Sequence, residues 1–365
     1  MFILHPCRRP PSPACGGGPG RGREAARTTA PEGGTPVLYD GGFLARLEDG
    51  VRGALSRWDI APTTELKLLT ISENATFRAS NTGTGGDLVF RVHRPDYHTR
   101  REIESELAWI DALRAEGGIL TPRPIPLRDG SLIADIEDAG TPRHVVAFEF
   151  LPGKEPDEKD DLVGWFAKLG TIHAGLHAQA RAWTRPEGFT RKVWNFRSML
   201  GDQPLWGDWR AGLGLTGEGR AILEKTALVL ERELAAIGTE GDSFGLVHAD
   251  LRLANLLVDG DKLALIDFDD CGFSWFLYDF AAAISFIEHE PYVPALMDAW
   301  IAGYRTRLPL TDAQAAQLPV FIMLRRMLLT AWIASHAETP TAQAMGIPYT
   351  DGTIALAEAF LSARA

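Results

Sequence analysis

Between Leu246 and Gly272 the chain reads LVHADLRLANLLVDGDKLALIDFDDCG, a run of strand-forming aliphatics broken by one histidine, one asparagine and several carboxylates. Carboxylates beside Val, Leu and Ile are costly to bury unless a charged partner meets them. His248, Asp250, Leu251 and Asn255 fall in the register H-x-D-L-x-x-x-N. In that register the aspartate accepts a hydroxyl proton and the asparagine holds a metal ion while a phosphoryl group moves. LALIDFDD then sets Asp267 at the end of an aliphatic strand, twelve positions after Asn255, with VDGDK as a tight turn between. A hairpin there brings Asn255 and Asp267 together as hard oxygen ligands, suited to Mg2+ carrying substrate phosphates. Arg252, two residues beyond Asp250, is placed to meet the charge of the transferring group. Each piece has an ordinary use alone, His-x-Asp as scaffold and an aspartate after a strand as turn former. Their order and spacing together point to phosphoryl transfer, with Asp250 as base and His248 as a hydrogen-bonded scaffold.

Such a site needs a nucleotide held against it. ELKLLTI, ATFRAS and DLVFRVH read as strands, the second and third joined by the turn NTGTGG; SLIADIE and RHVVAFEFL read as two more. Period-two alternation on DLVFRVH puts Val89 and Arg91 on one face. The helix TRREIESELAWIDALRA carries Ile103, Leu107, Ile110 and Leu113 as its apolar stripe, with Glu106 inside the stripe and Glu104 pointing away. A carboxylate on a buried face wants a cation, and Arg91 is the one available. Ser72, Glu73, Asn74 and Ala75 of ISENATF would form a turn over phosphates, and backbone groups of Glu149 and Leu151 in AFEFLPG would meet adenine. Residues 37–152 thus read as a nucleotide-binding unit of five strands and one helix, preceded by a helical pattern over residues 37–60, and residues 153–365 as helices around the catalytic stretch. The fold class is α+β with two lobes, a small antiparallel sheet first and a mainly helical part second.

Totals bound the partners. The 365 residues carry a formal charge of -11, which argues against nucleic acid as the main partner. No apolar run approaches membrane-spanning length. The three cysteines, Cys7, Cys15 and Cys271, form no disulfide framework and suit a reducing cytoplasm. Cys271 directly follows the acidic cluster, where it is either a redox-sensitive thiol or a small residue packed beneath a loop. Residues 1–36 are rich in Pro, Gly and Arg with little to bury, so they are expected to be disordered.

With SENATF, LVFRVHRP, Glu106, FEFLPG, LGTIHAGLH, HADLRLAN, IDFDD and YDFAAAISF in place, the chain resembles the aminoglycoside phosphotransferase and choline kinase-like enzymes. That group includes type II homoserine kinases and a bacterial stress-response Ser/Thr kinase, and the likeness spans residues 60 to 285. The resemblance implies a bilobal protein-kinase-like fold, ATP and Mg2+ as cofactors, and a hydroxyl acceptor. It implies that Asp279 braces the catalytic loop, and that Arg91 stands where most members have lysine. Asp269 is left as a second metal contact or a turn residue. Eleven residues between Asp267 and Asp279 leave no room for a protein-kinase activation segment. A small-molecule hydroxyl is therefore the expected acceptor; the alternatives are a protein Ser/Thr, or nucleotide binding without turnover, the latter motivated by Arg91. Arg325, Arg326 and His336 read either as acceptor-pocket residues or as solvated helix-face residues. The tryptophans between Trp183 and Arg210 read as lid or core. Neither the acceptor nor an oligomeric state is spelled out.

Overall fold

The computed structural model describes residues 41–71, 74–83, 85–116, 118–156, 161–239, 241–260, 262–337 and 339–365. Segment 1–36 and residues Ser72 and Glu73 lie outside them. The alternating runs form one antiparallel sheet of β1 (Glu65–Ile71), β2 (Ala75–Ser80), β3 (Leu88–Val92), β4 (Ile133–Asp138) and β5 (Thr141–Glu149), in the order β1-β2-β3-β5-β4. Alternation divides each strand between two faces. Phe77, Leu88, Phe90, Val92, Val145 and Ala147 bury against Leu47 and Val51 of α1 (Gly41–Ala54). From the other face, Ile133, Val146 and Phe148 share a core with Ile103, Leu107 and Ile110 of α2 (Arg100–Glu116). This second core runs on without a break into the helical part.

The helical part comprises α3 (Leu162–Ala182), α4 (Phe196–Met199), α5 (Gly217–Ile237), α6 (Tyr278–Ala283), α7 (Val293–Tyr304), α8 (Asp312–Ala315), α9 (Leu318–Ser335) and α10 (Pro340–Ser362). Asp161, Thr216 and Thr339 start α3, α5 and α10 by accepting from backbone N–H groups of the first turn. The α3–α7 crossing is unusually close because both helices offer glycine. A Cβ on Gly170 would lie 2.1 Å from the Trp300 carbonyl oxygen, and one on Gly303 1.9 Å from that of Ala167. Between α5 and α6 the catalytic stretch folds as two small antiparallel ladders, β6 (Phe244–Val247) with β9 (Gly272–Trp275) and β7 (Leu256–Asp259) with β8 (Lys262–Leu265).

The segment Asp312–Ser335, which includes α9, has the length and composition to cross a membrane, whereas the sequence pattern suggested no such run. Arg325 and Arg326 interrupt it in sequence, but both are buried, and 72% of its most apolar window is covered by the protein itself. The aromatic segment before α5 is core: Trp194, Trp206 and Trp209 are all buried.

Candidate active site

The catalytic stretch leaves β6 at Val247 and turns at once. Ala249 sits at φ 67°, a left-handed conformation that a residue with a Cβ adopts only when its surroundings hold it. Asp279 in the first turn of α6 does so. Its Oδ1 accepts from Ala249 N at 2.8 Å and its Oδ2 from His248 N at 3.3 Å. Oδ2 also meets His177 Nε2 of α3 at 2.9 Å. Burial works against a charged Asp279, yet the imidazoles of His173, His177 and His248 hold its carboxyl well below the ordinary value. The His248 ring is buried and meets Ile266 O at 3.2 Å; burial pulls it below the usual histidine value, so it is neutral and structural.

Asp250 then faces the cleft. Its Oδ2 accepts from Asn255 Nδ2 at 3.0 Å and from Arg252 Nε at 3.4 Å. Asn255 Nδ2 also donates to Asp250 O at 2.7 Å, which turns the amide oxygen of Asn255 the other way. The Asn255 carbonyl accepts from Ile266 N at 3.0 Å and ties the β7–β8 hairpin so that Asp267 follows beside it. Asp267, at φ 63°, has a half-exposed side chain. Partial loss of hydration around its inner edge, then the charge of Asp269, push its carboxyl up to about 7, with Arg91 opposing. Among the described residues no group of three His, Cys, Asp or Glu gathers to hold a metal by protein alone. Two oxygen donors, Asn255 Oδ1 and the Asp267 carboxylate, fit a Mg2+ whose remaining ligands come from phosphates and water.

The sheet supplies the opposite wall. Arg91 of β3 reaches Glu106 of α2 through Nη2, at 2.8 Å to Oε1 and 2.7 Å to Oε2, with Glu106 wholly buried. Burial raises the Glu106 carboxyl and the Arg91 guanidinium pulls it back. Arg91 Nη1 lies 3.7 Å from Asp267 and 3.8 Å from Asp269, while its buried Nε has no hydrogen-bond partner. A buried N–H left open beside the Asp267 carboxylate is a donor that an anionic oxygen would satisfy.

Other expected residues land differently. The Asn74 side chain donates to Asp269 Oδ2 at 2.8 Å and accepts from Arg94 N at 3.0 Å, so its amide ties the strand turn to the catalytic stretch. Asp269 is buried and lies within 3.4 Å of His93 and 3.7 Å of His98, which makes it a bridge between sheet and catalytic stretch, not an exposed turn residue. Glu149 N donates to Arg123 O at 2.9 Å, so that N–H is not open to an adenine. Cys271 is fully buried and burial pushes its thiol up to about 12, so it is the packed residue and not a redox-sensitive one.

The remaining wall comes from the helices. Arg325 of α9 donates to Asp250 Oδ1 at 2.6 Å. Arg326 meets Glu288 at 2.7 Å and Thr353 at 2.9 Å, inside the α9–α10 contact. The reading of these two arginines as solvated is therefore wrong: each is 2% exposed. His336 stacks on Trp332 at 5.0 Å. Tyr97 OH donates to Asp270 Oδ1 at 2.5 Å and accepts from Trp206 Nε1 at 3.0 Å. The sequence reading gave neither Asp270 nor Tyr97 a role. The signal for Arg325 was present in MLRRMLL, since a charge inside an apolar helix implies a buried acid elsewhere.

An antiparallel sheet with an Arg–Glu pair, stacked on a helical part whose loop carries His-x-Asp and a distal Asp, defines a kinase-like phosphotransferase. The chain belongs to the phosphotransferase enzyme family, whose model matches residues 67–315. It is 44% identical to a microcompartment-associated aminopropanol kinase of known structure, covering 86% of this chain and 97% of that one at a TM-score of 0.80. An amicoumacin kinase solved with AMP-PNP, Ca2+ and amicoumacin shares the fold at 22% identity and a TM-score of 0.69, over 87% of this chain and 94% of that one. The homoserine kinase of Gluconobacter oxydans is 28% identical over 280 residues, 73% of this chain and 82% of that protein.

Proposed function

We propose that this phosphotransferase moves the γ-phosphoryl group of ATP, with Mg2+, to the hydroxyl of a small amino alcohol, and that Asp250 is the base. The observation that carries the reading is the convergence of Asp250, Asn255 and Asp267 on one cleft floor beneath Arg91. Asp250 Oδ2 accepts the hydroxyl proton as the acceptor oxygen approaches phosphorus, and Arg252 offsets charge on the transferring group. Arg91, held by Glu106, meets phosphate oxygens. The adenine lies against the Glu149 carbonyl and Leu151. A Mg2+ held by Asn255 and Asp267 would neutralise phosphate charge, which is the chemistry the protein groups do not supply themselves.

The amino alcohol class is supported by the 44% identity to an aminopropanol kinase and by the site. The Asp270 carboxylate, which accepts from Tyr97 OH at 2.5 Å, suits an ammonium group better than an anionic acceptor. A carboxylate-bearing acceptor such as homoserine needs a cation, and Arg325, the buried cation next to Asp250, has its donors engaged by protein. The test is γ-labelled ATP with Mg2+ and a panel of amino alcohols, homoserine, choline, sugars, aminoglycosides and generic proteins, comparing wild type with Asp250→Asn. Label should pass to an amino alcohol, and the variant should bind Mg-ATP normally while losing about 10²–10⁴-fold in turnover. Label on protein alone would favour a Ser/Thr kinase. Nucleotide binding with transfer to none of the acceptors would favour a protein that only binds ATP.

A further inference from the structure

Asp250 is gripped from a part of the chain that the family match does not reach. The match ends at residue 315, and Arg325 lies beyond it on α9. Its guanidinium is 2% exposed and spends its donors on four partners. Nε donates to Ser285 Oγ at 3.0 Å, and Nη1 donates to Tyr278 Oη at 2.9 Å and to Ala249 O at 3.4 Å. Nη2 donates to Asp250 Oδ1 at 2.6 Å. The Trp206 ring covers the guanidinium, its centroid 5.1 Å from Cζ. Such a group is neither a solvated surface charge nor a ligand for the acceptor, because its fork is filled and closed over.

We infer that Arg325 is a positioning residue for phosphoryl transfer: it fixes the rotation of the Asp250 carboxylate so that Oδ2 faces the acceptor hydroxyl. The inference rests on the reading of Asp250 as base. An aspartate next to a left-handed Ala249 still turns about Cα–Cβ and Cβ–Cγ, and a charge-assisted bond to one carboxylate oxygen restrains both. With Oδ1 held by Arg325, Oδ2 is presented between Asn255 and Arg252. Arg325 also grips the Ala249 carbonyl, so the carboxylate and the strained backbone that carries it are set by one group. Ser285 and Tyr278 hold that group in turn. A lysine has one ammonium and reproduces the charge without the fork.

The experiment is a double-mutant cycle read in kcat and in Mg-ATP affinity with wild type, Arg325→Ala, Asp250→Asn and the double variant. Arg325→Ala should lower kcat by about 10²-fold, as a small misplacement of a reacting group does. Its Mg-ATP affinity should stay near wild type. In the Asp250→Asn background the same change should cost little more, because the carboxylate it serves is already gone. Guanidinium ion at non-denaturing concentration should restore part of kcat to Arg325→Ala and none to the double variant. Ser285→Ala, which removes the Nε anchor and keeps the charge, should lower kcat several-fold with unchanged Mg-ATP affinity, and it carries the test if Arg325→Ala does not fold. Equal losses from Arg325→Ala in both backgrounds, or joint loss of nucleotide binding and kcat, would make Arg325 merely structural and overturn the inference. So would wild-type kcat in a folded Arg325→Ala, or in Ser285→Ala if it must stand alone. Wild-type kcat in Asp250→Asn would instead remove the base reading, and this inference with it.

Discussion

Arg91 is where one side chain sets both fold and binding. Glu106 is wholly buried, so its charge depends on the guanidinium that meets it at 2.7 and 2.8 Å. Replacing Arg91 by methionine strands a buried carboxylate and should cost about 3–5 kcal/mol of stability. Arg91→Lys should lose much less, because an ammonium still neutralises Glu106. Urea unfolding measures the first effect and calorimetry of Mg-ATP binding the second. An Arg91→Met variant as stable as wild type would mean that Glu106 is not charged. At this scale much of the site could be read in advance. The pairing of Arg91 with Glu106 follows from period two on a strand and a stripe on a helix. The hub made by Asp269 does not, because nothing local distinguishes an aspartate that ends a strand from one that anchors a loop.

Among the elements, α3 decides how firmly the catalytic loop is held. It carries His177 to Asp279, and Asp279 in turn fixes the backbone of His248 and Ala249. Its depth is set by the α7 crossing, where Gly170 and Gly303 let backbone approach backbone. Gly303→Ala puts a methyl group where the Ala167 carbonyl lies and must part the helices. It should cost about 1–3 kcal/mol, the range for overpacking a filled core. It should also lower kcat, since Asp279 moves with α3. Thermal unfolding and steady-state kinetics check this; an unchanged melting temperature would show that the crossing relaxes freely. The helical period marked α3 in the sequence, but two glycines far apart in the chain and in different helices give no hint that they face each other.

For the molecule as a whole, acid should be the weak side. His173 of α3 accepts from Trp300 Nε1 at 2.8 Å and is fully buried. Burial lowers its imidazole from 6.5 to about 3, with Asp279 opposing and His177 and His248 adding to the fall. Between those values the unfolded chain binds a proton that the folded chain refuses, so protonation favours unfolding. The stabilisation is complete above pH 6.5 and drains as pH falls toward 3, with a slope up to about 1.4 kcal/mol per pH unit from this one group. Urea midpoints from neutral pH downward should fall, and His173→Asn, which still accepts from Trp300, should fall less steeply. Equal slopes would place the acid sensitivity elsewhere. At this scale the sequence put α2 with the sheet; its apolar stripe packs there against Ile133, Val146 and Phe148, and the same core continues into the helical part.

The sequence by itself determined what is local: the strands and helices through their periods, the register of Asp250, Asn255 and Asp267, and the need of buried Glu106 for a cation. These follow from spacing within one element or one hairpin, where geometry leaves few choices. Only the tertiary structure decided which distant groups meet. Arg325 reaches Asp250 across 75 residues, Tyr97 reaches Asp270 across 173, and Asn74 reaches Asp269 across 195. Those partners are chosen by how whole elements pack, and a side chain's own neighbours in sequence carry no record of that packing.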